Sequence, residues 1–244
     1  MIGTHYRMRL YHKMKCRCGD NKEGCGCIKY VVLDLDETLI NTSDSQGGNA
    51  LSKLGLKNKK NIRLRDRVYS LDMVDFLTPG EGKEVRYVGI FRPHVREFIR
   101  FCLRYFDEVV VWSAGLNRYV KELCRKLFPA GVKQPLLVYT QTDCVMRRSD
   151  GIIFKPLDKL YRDPRTQGKM NAKNTLIIDD NYQTFSQNEE NAIHIPKYTA
   201  PLTQKELRSH EDDRLVKIME WLATEEVLKS KDVRKLDKST IFDE

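Results

Sequence analysis

Ile28-Lys29-Tyr30-Val31-Val32-Leu33-Asp34-Leu35-Asp36-Glu37-Thr38 is the stretch on which the fold turns. Ile28 to Leu33 is a short run rich in Val and Ile, as expected of a central strand buried in a parallel sheet, and it stops abruptly in charge. Asp34 and Asp36 are two apart, so in extended backbone they point to the same side.

Working outward, Asn41 to Arg67 is polar, carries Gly47-Gly48 and reads as a mobile insertion. Tyr69 to Phe76 and Glu84 to Phe91 are extended runs around a Pro-Gly turn, which predicts a β-hairpin. Arg92-Pro93-His94 is read as opening a helix with proline in its first turn, because Val95, Phe98, Ile99, Cys102 and Leu103 share one face at a 3.6-residue period. Val109 to Trp112 is a second buried strand, and Asn117 to Phe128 a second amphipathic helix. Leu136 to Tyr139, Ile152 to Phe154, Thr175 to Ile178 and Ala192 to Ile195 follow as short strands, with a helical turn at Leu157 to Tyr161. Asp212 to Lys229 reads as one closing amphipathic helix through Leu215, Ile218, Met219 and Leu222.

Strands alternating with helices predict an α/β fold with a parallel sheet flanked by helices, in which ligands bind beyond the carboxyl ends of the strands. The chain has 244 residues, enough for a core without disulfide staples. The expected division is a basic, Cys-rich lead-in at 1–27, one domain at 28–230 with a loop and hairpin inserted at 41–91, and a charged tail at 231–244.

Composition narrows the classes. The sequence is 41% hydrophobic and 32% charged, which excludes a disordered polyelectrolyte. No apolar run approaches the ~18 residues of a membrane span, and the basic start lacks the apolar stretch of a secretory signal. The expectation is an intracellular, non-secreted protein of nucleus or cytoplasm, with no membrane partner. Its net charge of +9 favours acidic partners without choosing among phosphoprotein, nucleic acid and anionic surfaces. The densest basic patch, Lys57 to Arg67, has a bland reading as a solvated loop. Of seven cysteines, Cys16, Cys18, Cys25 and Cys27 form two Cys-x-Cys pairs. Zinc ligation and a bland reading both stay open, since structural zinc sites usually use wider spacings.

Three strand ends carry the unusual polar residues: Asp34 with Asp36, Ser113, and Asp179 with Asp180. Four carboxylates near one point are untenable unless a cation sits among them or some are protonated. Carboxylates without nitrogen ligands suit Mg2+, which keeps several waters and takes phosphate oxygens. A cation, the Ser113 hydroxyl and a lysine, for which Lys155 is the candidate, suit phosphoryl transfer. One carboxylate can attack phosphorus, and a second with a raised pKa can protonate the leaving oxygen.

Asp34-Leu35-Asp36-Glu37-Thr38-Leu39 resembles the D-x-D-x-T signature of the haloacid dehalogenase (HAD) superfamily, in the form found in the FCP/SCP-like (NLI-interacting-factor-like) phosphatases of the RNA polymerase II C-terminal domain. Phe91-Arg92-Pro93-His94 is similar to that family's Arg-Pro-His segment. Val111-Trp112-Ser113-Ala114 resembles its second motif, Phe154-Lys155 its third and Ile177-Ile178-Asp179-Asp180-Asn181 its fourth. The ordered set covers about residues 28 to 223 and is a specific signal, where a lone D-x-D-x-T is weak.

The resemblance implies a HAD-like Rossmannoid sheet with a small β-hairpin insertion and no large cap domain. It also implies a phosphoprotein phosphatase working through a phospho-aspartyl intermediate. Carried over by position, Asp34 is the nucleophile and Asp36 the general acid and base, which also gives its main-chain carbonyl to Mg2+. Lys155 neutralises the phosphoryl charge, while Asp34, Asp179 and Asp180 hold the metal. Ser113, where the family usually has Thr, holds a phosphate oxygen. Thr38 and Arg92 are grouped with the substrate site as supports, and Leu116 and Tyr119 correspond to one wall of its pocket. The long loop at Asn41 to Arg67, the glycines at Gly80 and Gly82 and Gln141 depart from the pattern. The implied partner is a phosphorylated protein such as the polymerase tail. Two rival readings are a phosphatase for nucleic-acid termini, motivated by the charge, and a non-catalytic phosphoprotein-binding relative.

Overall fold

The computed structural model describes residues 28–43, 66–75, 78–199, 203, 205 and 212–243. The cysteine pairs of the lead-in, with the zinc reading that rests on them, lie outside the described residues, as does the basic patch up to residue 65.

The first strand, β1 (Tyr30–Leu33), is buried along its whole length. Beyond it come β2 (Ile40–Ser43), β3 (Val68–Val74) and β4 (Glu84–Phe91), then helix α1 (Val95–Tyr105), β5 (Glu108–Trp112) and helix α2 (Asn117–Leu127). Next are β6 (Leu137–Tyr139), β7 (Val145–Met146), β8 (Ile153–Phe154), α3 (Leu157–Tyr161), β9 (Thr175–Asp179), α4 (Tyr182–Phe185), β10 (Ala192–His194), α5 (Arg214–Leu222) and α6 (Glu225–Lys229). The central sheet has the order β10-β9-β1-β5-β6, and the pairings between those neighbours are all parallel. The fold is therefore α/β with a parallel sheet covered by helices.

Alternation along each strand divides the core in two. Val31, Leu33, Val109, Val111, Leu176 and Ile178 pack into one cluster with α1, α2 and α5. Tyr30, Val32, Val110, Trp112 and Ile177 pack into a second with Leu157 and Phe185. Both faces of β1 are thus withdrawn from water, which is why its sequence is almost uniformly apolar.

Four readings from sequence are corrected. Ile40–Ser43, placed by sequence at the edge of a polar loop, is a strand that makes the hairpin a three-stranded antiparallel sheet of order β2-β4-β3. β8 does not join the main sheet but pairs antiparallel with β7. Pro93 precedes α1 instead of lying in its first turn: the cap is His94, held in the left-handed region at φ 64°. Asp212 to Lys229 is two helices, because the chain breaks after Leu222 and Thr224 caps the second. Among the described residues no helix is long and apolar enough to cross a membrane.

The chain after α6 also contributes to the larger core. Val233, Leu236 and Ile241, in the stretch read as a charged tail, are buried there.

Candidate active site

β1 and β9 are adjacent and parallel, with Leu33 opposite Ile178, so their carboxyl ends deliver Asp34 and Asp179 to one point. Asp34 extends the ladder, its N–H donating to the Ile178 carbonyl at 3.1 Å. The chain then turns back on itself. The Leu39 and Ile40 N–H groups both donate to the Leu35 carbonyl, at 2.8 and 3.1 Å. Glu37 takes a positive φ of 62° to close the turn. Leu35 and Leu39 are fully buried, so this loop is anchored by its apolar residues.

Lys155 reaches the same point from the end of β8. Its Nζ donates to Asp34 Oδ1 at 2.5 Å and to Asp179 Oδ2 at 2.6 Å, and all three side chains are nearly inaccessible to solvent. Burial pulls the Lys155 ammonium down, but the two carboxylates outweigh it and leave its pKa above the ordinary lysine value. Burial raises Asp34 well above the usual carboxylate range, Lys155 opposes that and Asp179 adds to it. The cluster is a buried triad of two acids and one base, held at Asp179 by further donors. Thr184 Oγ1 donates to its Oδ2 at 2.8 Å and the Asn181 N–H to its Oδ1 at 2.9 Å.

Asp180 is half-buried beside them. Thr38 Oγ1 donates to its Oδ1 at 2.9 Å and accepts from its N–H at 3.0 Å. Burial raises the Asp180 carboxyl against the Thr38 bond, and Asp179 adds to the rise. Asp34, Asp179 and Asp180 together offer oxygens within 4.8 Å of one another. The sequence reading put four carboxylates at one point; three gather there. The carboxylate of Asp36 instead accepts from Tyr119 Oη at 2.5 Å and is hydrogen-bonded by the buried Ser113 hydroxyl. Burial raises its pKa, with the Tyr119 bond and the Lys155 charge opposing.

Two residues grouped with the substrate site have their polar groups committed elsewhere. Thr38 is fully buried against Asp180. Arg92 is 1% exposed and donates from Nη1 to the Thr38 carbonyl at 3.0 Å, from Nη2 to the Pro196 carbonyl at 2.8 Å, and from Nε to Asp212 Oδ1 at 3.0 Å. It braces the acid-bearing loop from beneath. Leu116 is exposed, and Tyr119 is buried with its hydroxyl turned to Asp36.

Sequence reasoning missed Thr184, Asn181 and the donor role of Tyr119. Asn181 and Thr184 act by local turn geometry after β9, for which Asp179-Asp180-Asn181 is a weak signal. Tyr119 is 83 residues from Asp36, and no local pattern joins them. Trp112 and the Cys102 and Cys124 thiols lie buried in the core.

Known proteins share this arrangement of chain. The family model for NLI interacting factor-like phosphatases matches residues 29–234. The mitochondrial import inner membrane translocase subunit TIM50 of Kluyveromyces lactis is 31% identical over 150 residues, 61% of this chain and 26% of its own. The human carboxy-terminal domain RNA polymerase II polypeptide A small phosphatase 2 is 28% identical over 179 residues, 72% of this chain and 52% of its own. The solved structure of Fcp1, an essential RNA polymerase II CTD phosphatase, superposes with a TM-score of 0.54 at 20% identity, covering 93% of this chain and 55% of that one. The chain thus spans about a quarter to a half of the length of these relatives. With the family's model running from the strand before Asp34 to the segment after α6, the chain belongs to the NLI interacting factor-like phosphatases.

Proposed function

We propose that this chain is a Mg2+-dependent phosphoprotein phosphatase that works through a phospho-aspartyl intermediate on Asp34. The observation that carries the reading is the buried convergence of Asp34 and Asp179 on Lys155, with Asp180 alongside. A site with this many acids in so little water needs either retained protons or a cationic partner beyond one lysine. An oxygen-only donor set is the kind Mg2+ takes. Asp34, Asp179 and Asp180, with the main-chain carbonyl of Asp36, are the residues that would hold it. Once bound, the ion supplies positive charge for phosphate oxygens.

The remaining work falls to the chain. Asp34 sits at the strand end where its carboxylate can attack phosphorus, forming the acyl phosphate as the bond to the leaving oxygen breaks. Lys155, already against Asp34, balances the charge of the transferring group. Asp36, whose pKa burial raises, is the residue to give a proton to the leaving oxygen and then accept one from the water that hydrolyses the intermediate. Ser113 lies at the end of β5 against Asp36 and can hold a phosphate oxygen. Leu116, exposed beside Tyr119, lines the approach. The proposed substrates are phosphoserine or phosphothreonine peptides, including those resembling the polymerase tail, in the nucleus or cytoplasm.

The test is turnover of a small aryl phosphate with Mg2+, which Asp34→Asn should abolish while the folded spectrum is kept. Phosphopeptides should then outrun oligonucleotides phosphorylated at either end. Preference for oligonucleotides, with steep salt dependence, would move the substrate class to nucleic acid. Unaltered turnover by the asparagine variant would reject the mechanism.

A further inference from the structure

We infer that Tyr69 and Thr42, both in the antiparallel insertion, are positioning residues for Asp36, acting through an ordered chain of hydroxyls. The inference rests on the proposed phosphatase reading for the role of Asp36. The chain itself is geometric. Tyr119 Oη lies 2.5 Å from Asp36 Oδ1 and 2.6 Å from Thr42 Oγ1, and Thr42 Oγ1 lies 2.6 Å from Tyr69 Oη.

Each hydroxyl has one proton to donate. Asp36, when ionised, only accepts, so Tyr119 gives its proton there, and Thr42 must then donate to Tyr119. Thr42 has no proton left for Tyr69, so Tyr69 donates to Thr42. With Asp36 Oδ1 unprotonated, the direction Tyr69, Thr42, Tyr119, Asp36 is the single assignment in which every contact has a donor, whereas a proton on Oδ1 itself reverses the whole series. Protonation of the other oxygen of Asp36 leaves that order intact. Such a series strengthens each member by polarisation, and its effect at the end is to keep Asp36 Oδ1 engaged.

The sheet is built to permit this. Gly89 on β4 pairs with Thr42 on β2 and with Tyr69 on β3, so the three form one row across the insertion. A side chain at the middle of that row would block the outer two from meeting. A Cβ at residue 89 would lie 2.3 Å from both Cζ and Oη of Tyr69. The missing side chain is the space in which Tyr69 crosses β4 to reach Thr42. Its ring is buried against Phe91, with centroids 4.7 Å apart, which fixes the direction of the hydroxyl. Neither Tyr69 nor Thr42 contributes to the acid cluster at Lys155; their route to it is Tyr119.

The test uses the full chain with Mg2+ and a small aryl phosphate, comparing wild type with Tyr119→Phe, Tyr69→Phe, Thr42→Val and the Tyr69→Phe/Tyr119→Phe double variant. Loss of a group that orients a working side chain costs on the order of tenfold in activity. Tyr119→Phe should lower kcat by about that factor, and Tyr69→Phe and Thr42→Val by a smaller one, with KM unchanged in all three. The double variant should be no slower than Tyr119→Phe alone, since the chain is already cut. Thermal unfolding of each variant accompanies the kinetics. Undiminished kcat in both Tyr69→Phe and Thr42→Val, or a double variant whose loss is the product of the single losses, overturns the inference. A raised KM at constant kcat in Tyr119→Phe overturns it too, by making that residue a pocket wall only. A wild-type chain without turnover fails the phosphatase reading itself, whereas turnover with indifferent variants fails only the hydroxyl chain.

Discussion

Asp34 is a residue whose burial works against the fold. Its carboxyl is raised well above the ordinary value by loss of water, with the Lys155 charge opposing and Asp179 adding. A raised folded pKa means that the native protein keeps this proton to a higher pH than the unfolded chain. The native state therefore gains stability as pH falls from neutral through that folded value, and loses it as pH rises. Replacing Asp34 by Asn removes the titration and leaves Lys155 paired with Asp179 alone at 2.6 Å. In chelator at neutral pH, Asp34→Asn should be more stable than wild type by on the order of 1 kcal/mol, roughly 2–4 °C in Tm at this size. The difference should close as pH falls toward about 4, where the unfolded carboxyl titrates. Scanning calorimetry across that range checks it, and a variant less stable than wild type at every pH would mean that the Lys155 contact outweighs the burial. At this scale the sequence was informative wherever chemistry is local: Asp34, Asp36, Asp179 and Asp180 announce themselves by ending apolar runs. It was silent on Thr184, Thr42 and Asp212, ordinary residues that matter through where the fold carries them.

Among the elements, strands with a strict burial pattern were readable and those defined by their partners were not. β1 is apolar throughout, and β5 and β9 are apolar over their central residues, because both faces are covered. β2, by contrast, is Ile-Asn-Thr-Ser, a strand because β4 offers it a ladder. The break between α5 and α6 is similar: the apolar period of Leu215, Ile218, Met219 and Leu222 lapses at Glu225 and Glu226, and the Thr224 cap marks the restart. The insertion sheet makes a prediction of its own through Gly89. Gly89→Ala puts a methyl where the Tyr69 ring now sits, so it should destabilise by about 1–3 kcal/mol, the usual cost of overpacking. If the ring is the cause, the penalty should shrink when Tyr69→Leu is introduced first. Urea unfolding of the four proteins in that cycle measures the coupling; equal penalties in both backgrounds would place the cause in the strand backbone instead.

The molecule as a whole is closed by its least promising stretch. Residues 231–243 read Lys-Asp-Val-Arg-Lys-Leu-Asp-Lys-Ser-Thr-Ile-Phe-Asp, mostly charged and without helical or strand period, which is why they read as a charged tail. In the fold Val233, Leu236 and Ile241 enter the larger core. The segment is pinned by main-chain and side-chain bonds to distant parts. The Val233 N–H donates to the Lys173 carbonyl at 2.9 Å. Trp221 Nε1 donates to the Asp237 carbonyl at 3.1 Å, and Lys217 Nζ to that of Asp243 at 2.8 Å. Lys238 is turned inward, its Nζ donating to the Val233 and Leu236 carbonyls at 2.7 and 3.1 Å. Three apolar side chains buried at roughly 1.5–3 kcal/mol each are a large share of the ~5–15 kcal/mol that holds a domain together. Removing residues 231–244 should therefore lower the unfolding midpoint by well over ten degrees or leave the chain insoluble. Val233→Asp should reproduce much of that loss, while Lys235→Asp, on the exposed side of the same turn, should be nearly silent. A truncated protein that melts with the full chain would show that these three residues cover the core without supporting it. A large loss would mean instead that the acid cluster at the far end of β1 depends on a segment no motif marks, because α5, which this segment covers, is part of the same core as the strand that carries Asp34.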